Sequence, residues 1–119
     1  MRRIDAIIRP EKLQQVIRAL DGVGVHGFTV IPVQGRGQQT DTRGIYRGHP
    51  YEINVHPKLK LEIVVSNEFC KPAVQAIISA AHTGQKGDGK VFVFEVLEAY
   101  NVRTGRIDET IDELNKGGG

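Results

Sequence analysis

The order of strand-like and helix-like residue patterns is the feature that most constrains the fold of this 119-residue chain. Lys58 to Val65 alternates apolar and polar residues, a pattern typical of a strand with one buried face. Ile4 to Ile8, Gly27 to Gln34 and Val91 to Tyr100 are also strand-like. Pro32 removes a backbone donor from the second of these three segments, so we expect that strand at a sheet edge.

Two further segments have the periodicity of amphipathic helices. Pro10 is tolerated in a first helical turn and precedes the first helix, which ends near Gly22. Pro72 places the predicted start of the second helix near Cys70 or Lys71. The apolar faces are formed by Leu13, Val16, Ile17 and Leu20 in the first helix and by Val74, Ile77, Ile78 and Ala81 in the second.

These elements follow one another in the order βαββαβ, which predicts an α+β fold of the ferredoxin-like type. In such a sandwich, two helices cover one face of an antiparallel sheet. A hydrophobic content of 39% supports one core, so residues 1–119 are predicted to form a single domain. Ile7, Ile31 and Val64 leave apolar side chains on the face without helices, and we expect a symmetric oligomer to bury them.

Two segments fall outside this regular pattern. Residues 35–57 have no period and form a long loop between the second and third strands. Connections in compact domains usually have about 4–6 residues, so a loop of this length favours a functional role. In the C-terminal segment, residues 101–119, we expect a short amphipathic helix beyond Gly105.

Charge and composition argue against several classes of function. A net charge of +2 is too small for the concentrated basic face that nucleic-acid binding usually requires. Apolar runs such as Val91 to Phe94 are far shorter than the roughly 20 residues that span a bilayer. A lone thiol, Cys70, and an early acidic residue, Asp5, favour the cytoplasm over export. The histidines and serines form no metal-binding or catalytic pattern, so we expect no enzyme.

The residues from Thr83 to Lys90 form the densest cluster of glycines and charges. Its three glycines let backbone N–H groups converge on an anion, and its two lysines would neutralise that anion. A Walker site is excluded, because Val91 replaces the Ser or Thr that holds magnesium and the loop runs from helix to strand. Gly-Asp-Gly is also common in plain turns, so a connecting turn and a phosphate-binding loop both remain open.

Several short motifs occur in a fixed order along the chain. They are Ala6-Ile7-Ile8-Arg9-Pro10, Tyr46-Arg47-Gly48, the strand from Pro57 to Val65, Thr83-Gly84, the segment from Gly87 to Val93, and Arg103-Thr104-Gly105. Together they resemble the PII signal-transduction family from Met1 to Gly105. The resemblance implies a homotrimer with nucleotide sites between subunits, where ATP and ADP compete. It also implies a regulator of nitrogen or carbon metabolism.

The resemblance further implies which residues bind the nucleotide. Those implied for phosphate are Gly87, Asp88, Gly89, Lys90 and Arg103, with Gly35 and Gly37 approaching from the base of the long loop. Thr29 and Glu62 are implied for the nucleoside, and the cofactor-binding set also contains Ile7, Gln38 and Val64. Gln39 matches the residue that ligates Mg²⁺ when 2-oxoglutarate joins bound ATP, and Lys58 matches the residue that pairs with a carboxylate of that acid.

The long loop is implied to contact a target, either an ammonium transporter or a metabolic enzyme. Arg47 resembles the arginine that enters such transporters in some relatives, and Tyr51 resembles a tyrosine that is uridylylated in others. Gln38 and Asn101 stand where typical members have arginines, so charge-assisted contacts to phosphate are lost. The alternative within this family is a diverged sensor of ADP, AMP or another small acid, which controls a different transporter or a nitrogenase-linked enzyme.

Two other classes of protein share the βαββαβ order. RNA-recognition modules carry stacking aromatics on their central strands, and Ile4 to Ile8 and Leu59 to Val65 contain none. Acylphosphatase-type enzymes place an anion-binding loop after the first strand, whereas the glycine loop of this chain follows the second helix. Both hypotheses are therefore less favoured than a nucleotide-binding regulator.

Overall fold

The computed structural model describes residues 1–36, 45–46, 49–50 and 55–108. A short 3-10 turn, Pro10–Lys12, leads into the first helix. The helices are α1, Leu13–Gly22, and α2, Asn67–Ala81. The strands are β1, Arg2–Ile8; β2, Thr29–Gly35; β3, Ile45–Tyr46; β4, His49–Pro50; β5, His56–Val65; and β6, Gly89–Glu95.

The main sheet has four strands in the order β2-β5-β1-β6, and each neighbouring pair is antiparallel. This topology confirms the predicted ferredoxin-like α+β fold. The strand that contains Pro32 lies at one edge of the sheet, as predicted. Within the predicted loop 35–57, β3 and β4 form a small antiparallel pair of their own.

The core lies between one face of this sheet and the two helices. The central strands contribute every second side chain to it, because successive residues of a strand point to opposite faces. The fully or almost fully buried residues are Ile4, Ala6, Ile8, Leu61, Ile63 and Val65 from the strands, Val16, Leu20, Ala73, Ile77 and Ala81 from the helices, and Val25. Burial of each large aliphatic side chain contributes roughly 1.5–3 kcal/mol.

The second helix differs from its prediction in two respects. It begins at Asn67, because Phe69 packs against the core and its N–H bonds the Ser66 carbonyl at 3.1 Å. Pro72 lies inside the helix, where it removes only one i to i−4 hydrogen bond. Ile78, predicted to be on the apolar face, is 54% exposed.

The last strand ends earlier than predicted, at Glu95 instead of Tyr100. The register explains this difference, because Glu95 pairs with Arg2 and the N–H of Val96 bonds the carbonyl of Met1 at 3.1 Å. The ladder between β1 and β6 ends at this pair. Residues 106–108 are not helical, and the rest of the predicted C-terminal helix lies outside the described residues.

The face of the sheet without helices carries apolar side chains, as predicted. Ile7, Ile31 and Val64 are partly buried there. The register places Phe92 opposite Asp5 and Phe94 opposite Arg3 on this open face. The two phenylalanines are 45% and 43% exposed in the single chain. The Arg3 guanidinium lies 4.4 Å from the centre of the Phe94 ring and 3.1 Å from the Asp5 carboxylate.

Gly89 is predicted to be essential for the pairing of β1 with β6. A Cβ atom at this position would lie 1.8 Å from the Ile7 carbonyl oxygen. The φ angle of Gly89, +118°, would also strain any other residue. Gly89→Ala should therefore lower the free energy of unfolding by at least roughly 2 kcal/mol in urea titrations. Gly22→Ala is the matched control, because a Cβ there meets no atom within 4 Å. Equal stability of the two variants would contradict this packing.

Candidate functional site

The loop between α2 and β6 is held in a tight, unusual backbone conformation. Gly84, Gly87 and Gly89 have positive φ angles of 87°, 95° and 118°. Glycine adopts this region without the steric cost that other residues bear. Glycine is therefore needed at these positions for the positive φ angles of the backbone. Both a simple turn and an anion-binding loop can contain such angles.

The carboxylate of Asp88 organises this glycine loop from within. It accepts hydrogen bonds from the backbone N–H of Thr83 at 2.8 Å, from that of Gly84 at 2.9 Å, and from the Thr83 hydroxyl. The Thr83 side chain and these N–H groups hold the pKa of Asp88 well below its usual range, with Arg9 adding to the effect. Asp88 is therefore ionised at neutral pH and already engaged with its own loop.

Two cations from the main sheet hold the outer side of the loop. Arg9, which directly follows β1, donates from Nε to Asp88 Oδ1 at 3.2 Å and from Nη2 to the Lys86 carbonyl at 2.8 Å. Lys58 of β5 donates from Nζ to the Gly87 carbonyl at 2.6 Å. Burial lowers the pKa of Lys58, and the positive charge of Arg9 lowers it further. Lys58, Gly87 and Asp88 of the predicted set are thus brought together.

Arg9 was not among the residues expected at the site. In the sequence it appeared only as part of a motif before the first helix, and its partner Asp88 lies 79 residues away. The register of the sheet identifies it. Ile8 pairs with Gly89, so Arg9, which follows Ile8, lies beside Asp88, which precedes Gly89.

The predicted nucleoside residues lie on the open face of the same sheet. Thr29 of β2 pairs with Glu62 of β5, and Ile7 of β1 pairs with Lys90 of β6. Val64 lies one step further along that face. Gly35 pairs with His56, and a Cβ added to Gly35 would lie 3.9 Å from Cγ of Lys58. Thr29 and Gly35 therefore lie on one edge strand and Lys90 on the other, with Ile7, Glu62 and Val64 on the two strands between them.

An apolar groove of about 330 Å³ flanks the glycine loop on the helix side. Ile8, Ile77, Ala81 and Val91 contribute to its lining, together with the polar residues His82, Asp88 and Lys90. The imidazole Nδ1 of His82 is 3.8 Å from Asp88 Oδ2. This composition suits an apolar group better than a phosphate.

Comparison with known proteins identifies the family. The sequence model of the family described as "Nitrogen regulatory protein P-II" matches residues 1–106. The chain belongs to the P-II family. It is 50% identical over 105 residues to Nitrogen regulatory protein P-II 1 of Methanothermobacter thermautotrophicus, covering 88% of this chain and 91% of that protein. It is 46% identical over 109 residues to Nitrogen regulatory protein P-II 1 of Escherichia coli K12, covering 92% and 97%.

The C-terminal turn of this P-II chain is shaped by Asn101. Its Oδ1 accepts the N–H groups of Arg103 at 2.9 Å and Thr104 at 3.2 Å, and its own N–H bonds the Arg106 carbonyl at 2.9 Å. The Arg103 side chain is exposed, and within the described residues no hydrogen bond or ion pair joins it to the glycine loop. The same region exposes Leu97 by 89% and Val102 by 99%.

Several predicted site residues fall outside the part of the P-II chain that the structure describes. They are Gly37, Gln38, Gln39, Arg47 and Tyr51. Their roles remain predictions. Among the described residues, no group of three or more His, Cys, Asp or Glu side chains could hold a metal ion. Neither helix that the structure describes has the length and hydrophobicity needed to span a membrane.

Asp88 should stabilise the folded chain in a pH-dependent manner. Because its folded pKa is depressed, its contribution is fully present above the ordinary value of 3.8 and is lost as the pH falls through that value toward the folded pKa. Asp88→Asn should therefore lower the free energy of unfolding at neutral pH. The difference in the free energy of unfolding between this variant and the wild type should become smaller in acid.

Urea unfolding followed by circular dichroism at a series of pH values measures this difference. Glu95→Gln removes the same charge from an exposed position on β6 and controls for net charge. A difference between Asp88→Asn and the wild type that stays constant down to about pH 2 would show that the Asp88 carboxylate does not hold the loop.

Proposed function

We propose that this chain is a regulatory protein that binds ATP or ADP through the glycine loop 83–90 and acts by contact with target proteins. The observation that carries the proposal is the ordered loop itself, in which the carbonyl groups of Lys86 and Gly87 are tied to cations of the sheet. Lys86 and Lys90 are exposed beside it and supply positive charge. With its carbonyl groups turned toward cations of the sheet, the loop leaves backbone N–H groups and exposed lysines to bind phosphate.

We further propose that the site is completed by a second copy of the chain, in a homotrimer. Thr29 lies on one edge strand and the glycine loop adjoins the other edge strand, and three strand spacings, roughly 14 Å, separate these two strands. The exposed phenylalanines of the open face and the exposed Leu97 and Val102 supply apolar surface for such an assembly. A nucleotide held between subunits would then contact the phosphate side of one chain and the nucleoside side of the next.

A small acid such as 2-oxoglutarate is proposed as the second ligand, bound near Lys58. Lys58 is largely buried, and burial lowers its pKa, so an acid's carboxylate would stabilise its charged form. Lys58 also contacts the Gly87 carbonyl, so a ligand at Lys58 would act directly on the glycine loop. Any Mg²⁺ that joins the two ligands is assigned to Gln39.

The proposed output is a change in the loop 35–57, which would contact an ammonium transporter or a metabolic enzyme. Each ligand would shift the population toward the loop conformation that it binds better. The target would bind one of these conformations and not the other. Arg47 is proposed as the contact residue and Tyr51 as the modification site. We propose no catalytic reaction for the chain, and we place it in the cytoplasm.

A second candidate is a sensor of ADP, AMP or another acid that controls a different transporter or enzyme. The specific observation in its favour concerns Asn101, where typical relatives are expected to have a phosphate-binding arginine. Here the Asn101 side chain is engaged in the C-terminal turn and carries no charge. The loss of one guanidinium would weaken binding of the nucleotide with most phosphates first.

Isothermal calorimetry tests the proposed function directly. ATP, ADP and AMP are titrated into the protein with and without Mg²⁺ and 2-oxoglutarate. We expect saturable heat for at least ATP or ADP, and a change in ATP affinity when both Mg²⁺ and the acid are present. Saturation by AMP or ADP alone would favour the second candidate, and the absence of heat with all three nucleotides would reject both.

Lys90→Ala should weaken nucleotide binding by roughly tenfold, because one charge-assisted contact to phosphate is lost. The melting temperature should change little, since Lys90 is exposed. Lys71→Ala removes the same charge from an exposed position on α2 and should bind like the wild type. Equal affinity of the two variants would show that Lys90 does not contact the phosphates.

A further inference from the structure

Arg9 joins the glycine loop to the sheet although it belongs to neither the loop nor the predicted site. Its guanidinium makes two contacts with the loop, to Asp88 Oδ1 at 3.2 Å and to the Lys86 carbonyl at 2.8 Å. Both side chains of the ion pair are shielded, with 18% of Arg9 and 23% of Asp88 exposed. A shielded pair is screened less by salt than one on the open surface.

These contacts fix the direction of the peptide groups in the loop. Every peptide described is trans, so the carbonyl and the N–H of one peptide group point in opposite directions. Because the Lys86 carbonyl faces Arg9, the N–H of Gly87 points away from Arg9. In the described part of the chain, this N–H makes no hydrogen bond. Arg9 therefore turns an open backbone donor outward.

Arg9 also balances a charge that would oppose phosphate. The Asp88 carboxylate lies next to Gly87 and would repel an anion bound at that N–H. Arg9 places a permanent positive charge against one oxygen of this carboxylate, while Thr83 and Gly84 bind it from the loop side. The carboxylate then shapes the loop without leaving an unpaired negative charge beside the ligand.

We propose that Arg9 is a positioning residue for phosphate binding, which orients the Gly87 N–H and neutralises Asp88 without touching the ligand. The inference rests on the proposed nucleotide-binding function. It deepens that function by assigning a role to a residue on β1's end, outside the glycine loop.

The experiment compares Arg9→Ala, Arg9→Lys, Asp88→Asn and the double variant Arg9→Ala/Asp88→Asn. Arg18→Ala is the matched control, because it removes the same charge from an exposed position on α1. ADP affinity is measured by calorimetry. Amide hydrogen exchange of Thr83 and Gly84 is measured by NMR in the nucleotide-free protein, which reports on the loop independently of any ligand.

We expect Arg9→Ala to weaken ADP binding by roughly tenfold and to accelerate exchange of both amides, while Arg18→Ala changes neither. Arg9→Lys should bind ADP with intermediate affinity, since lysine keeps the charge but has one nitrogen where Arg9 donates from two. If the alanine variant does not fold, Arg9→Lys is used in its place. The double variant should bind no more weakly than the weaker single variant, because Arg9→Ala already breaks the ion pair that Asp88→Asn removes.

The outcomes separate the two claims. If the wild type binds ADP and Arg9→Ala binds as tightly as Arg18→Ala, the role of Arg9 is overturned alone. Additive losses in the double variant, or unchanged exchange at Thr83 and Gly84, also overturn it. If the wild type binds no nucleotide, the proposed function fails and the positioning role fails with it, whatever the exchange rates show about the loop.

Discussion

The close approach of Gly89 to the Ile7 carbonyl is the constraint on which the rest of the site depends. No side chain fits between the two backbones at this point, so the register of β6 with β1 requires glycine at position 89. That register sets where the last strand begins, and therefore where the preceding Asp88 lies relative to the end of β1. The glycine loop is therefore positioned by strand pairing as well as by its own contacts.

Charged side chains then hold the loop that the strand register positions. Arg9 and Lys58 come from neighbouring strands and bind successive carbonyl groups of the loop, while Asp88 binds the N–H groups at its start. Charge-assisted hydrogen bonds of this kind are about twice as strong as neutral ones. They connect the loop to the strand that leads out of residues 35–57, so a ligand that moves Lys58 would affect both segments.

The fold was largely predictable because its signals are local. Alternation from Leu59 to Val65 and the edge position of Pro32 follow from the geometry of a strand. The boundaries that were wrong depend on tertiary contacts. The start of α2 is extended by the packing of Phe69, and the end of β6 coincides with the last pair of the β1–β6 ladder, Arg2 with Glu95.

The site was predictable only in part, for the same reason. The glycines of the loop stand out in the sequence, and the family resemblance is confirmed by the match over residues 1–106. Arg9 could not be found in this way, since its partner is brought beside it by the sheet alone. Asn101 marked a departure from the expected arginine, and only the folded turn shows that its side chain bonds the backbone of Arg103 and Thr104.

A crystal structure of the protein with bound ADP tests the central claim most directly. The account predicts that the terminal phosphate lies within hydrogen-bond distance of the Gly87 N–H, about 2.7–3.2 Å, with Lys90 beside it and a second subunit around the nucleoside. A nucleotide bound in the apolar groove next to α2, or in any site that leaves the glycine loop empty, would contradict it.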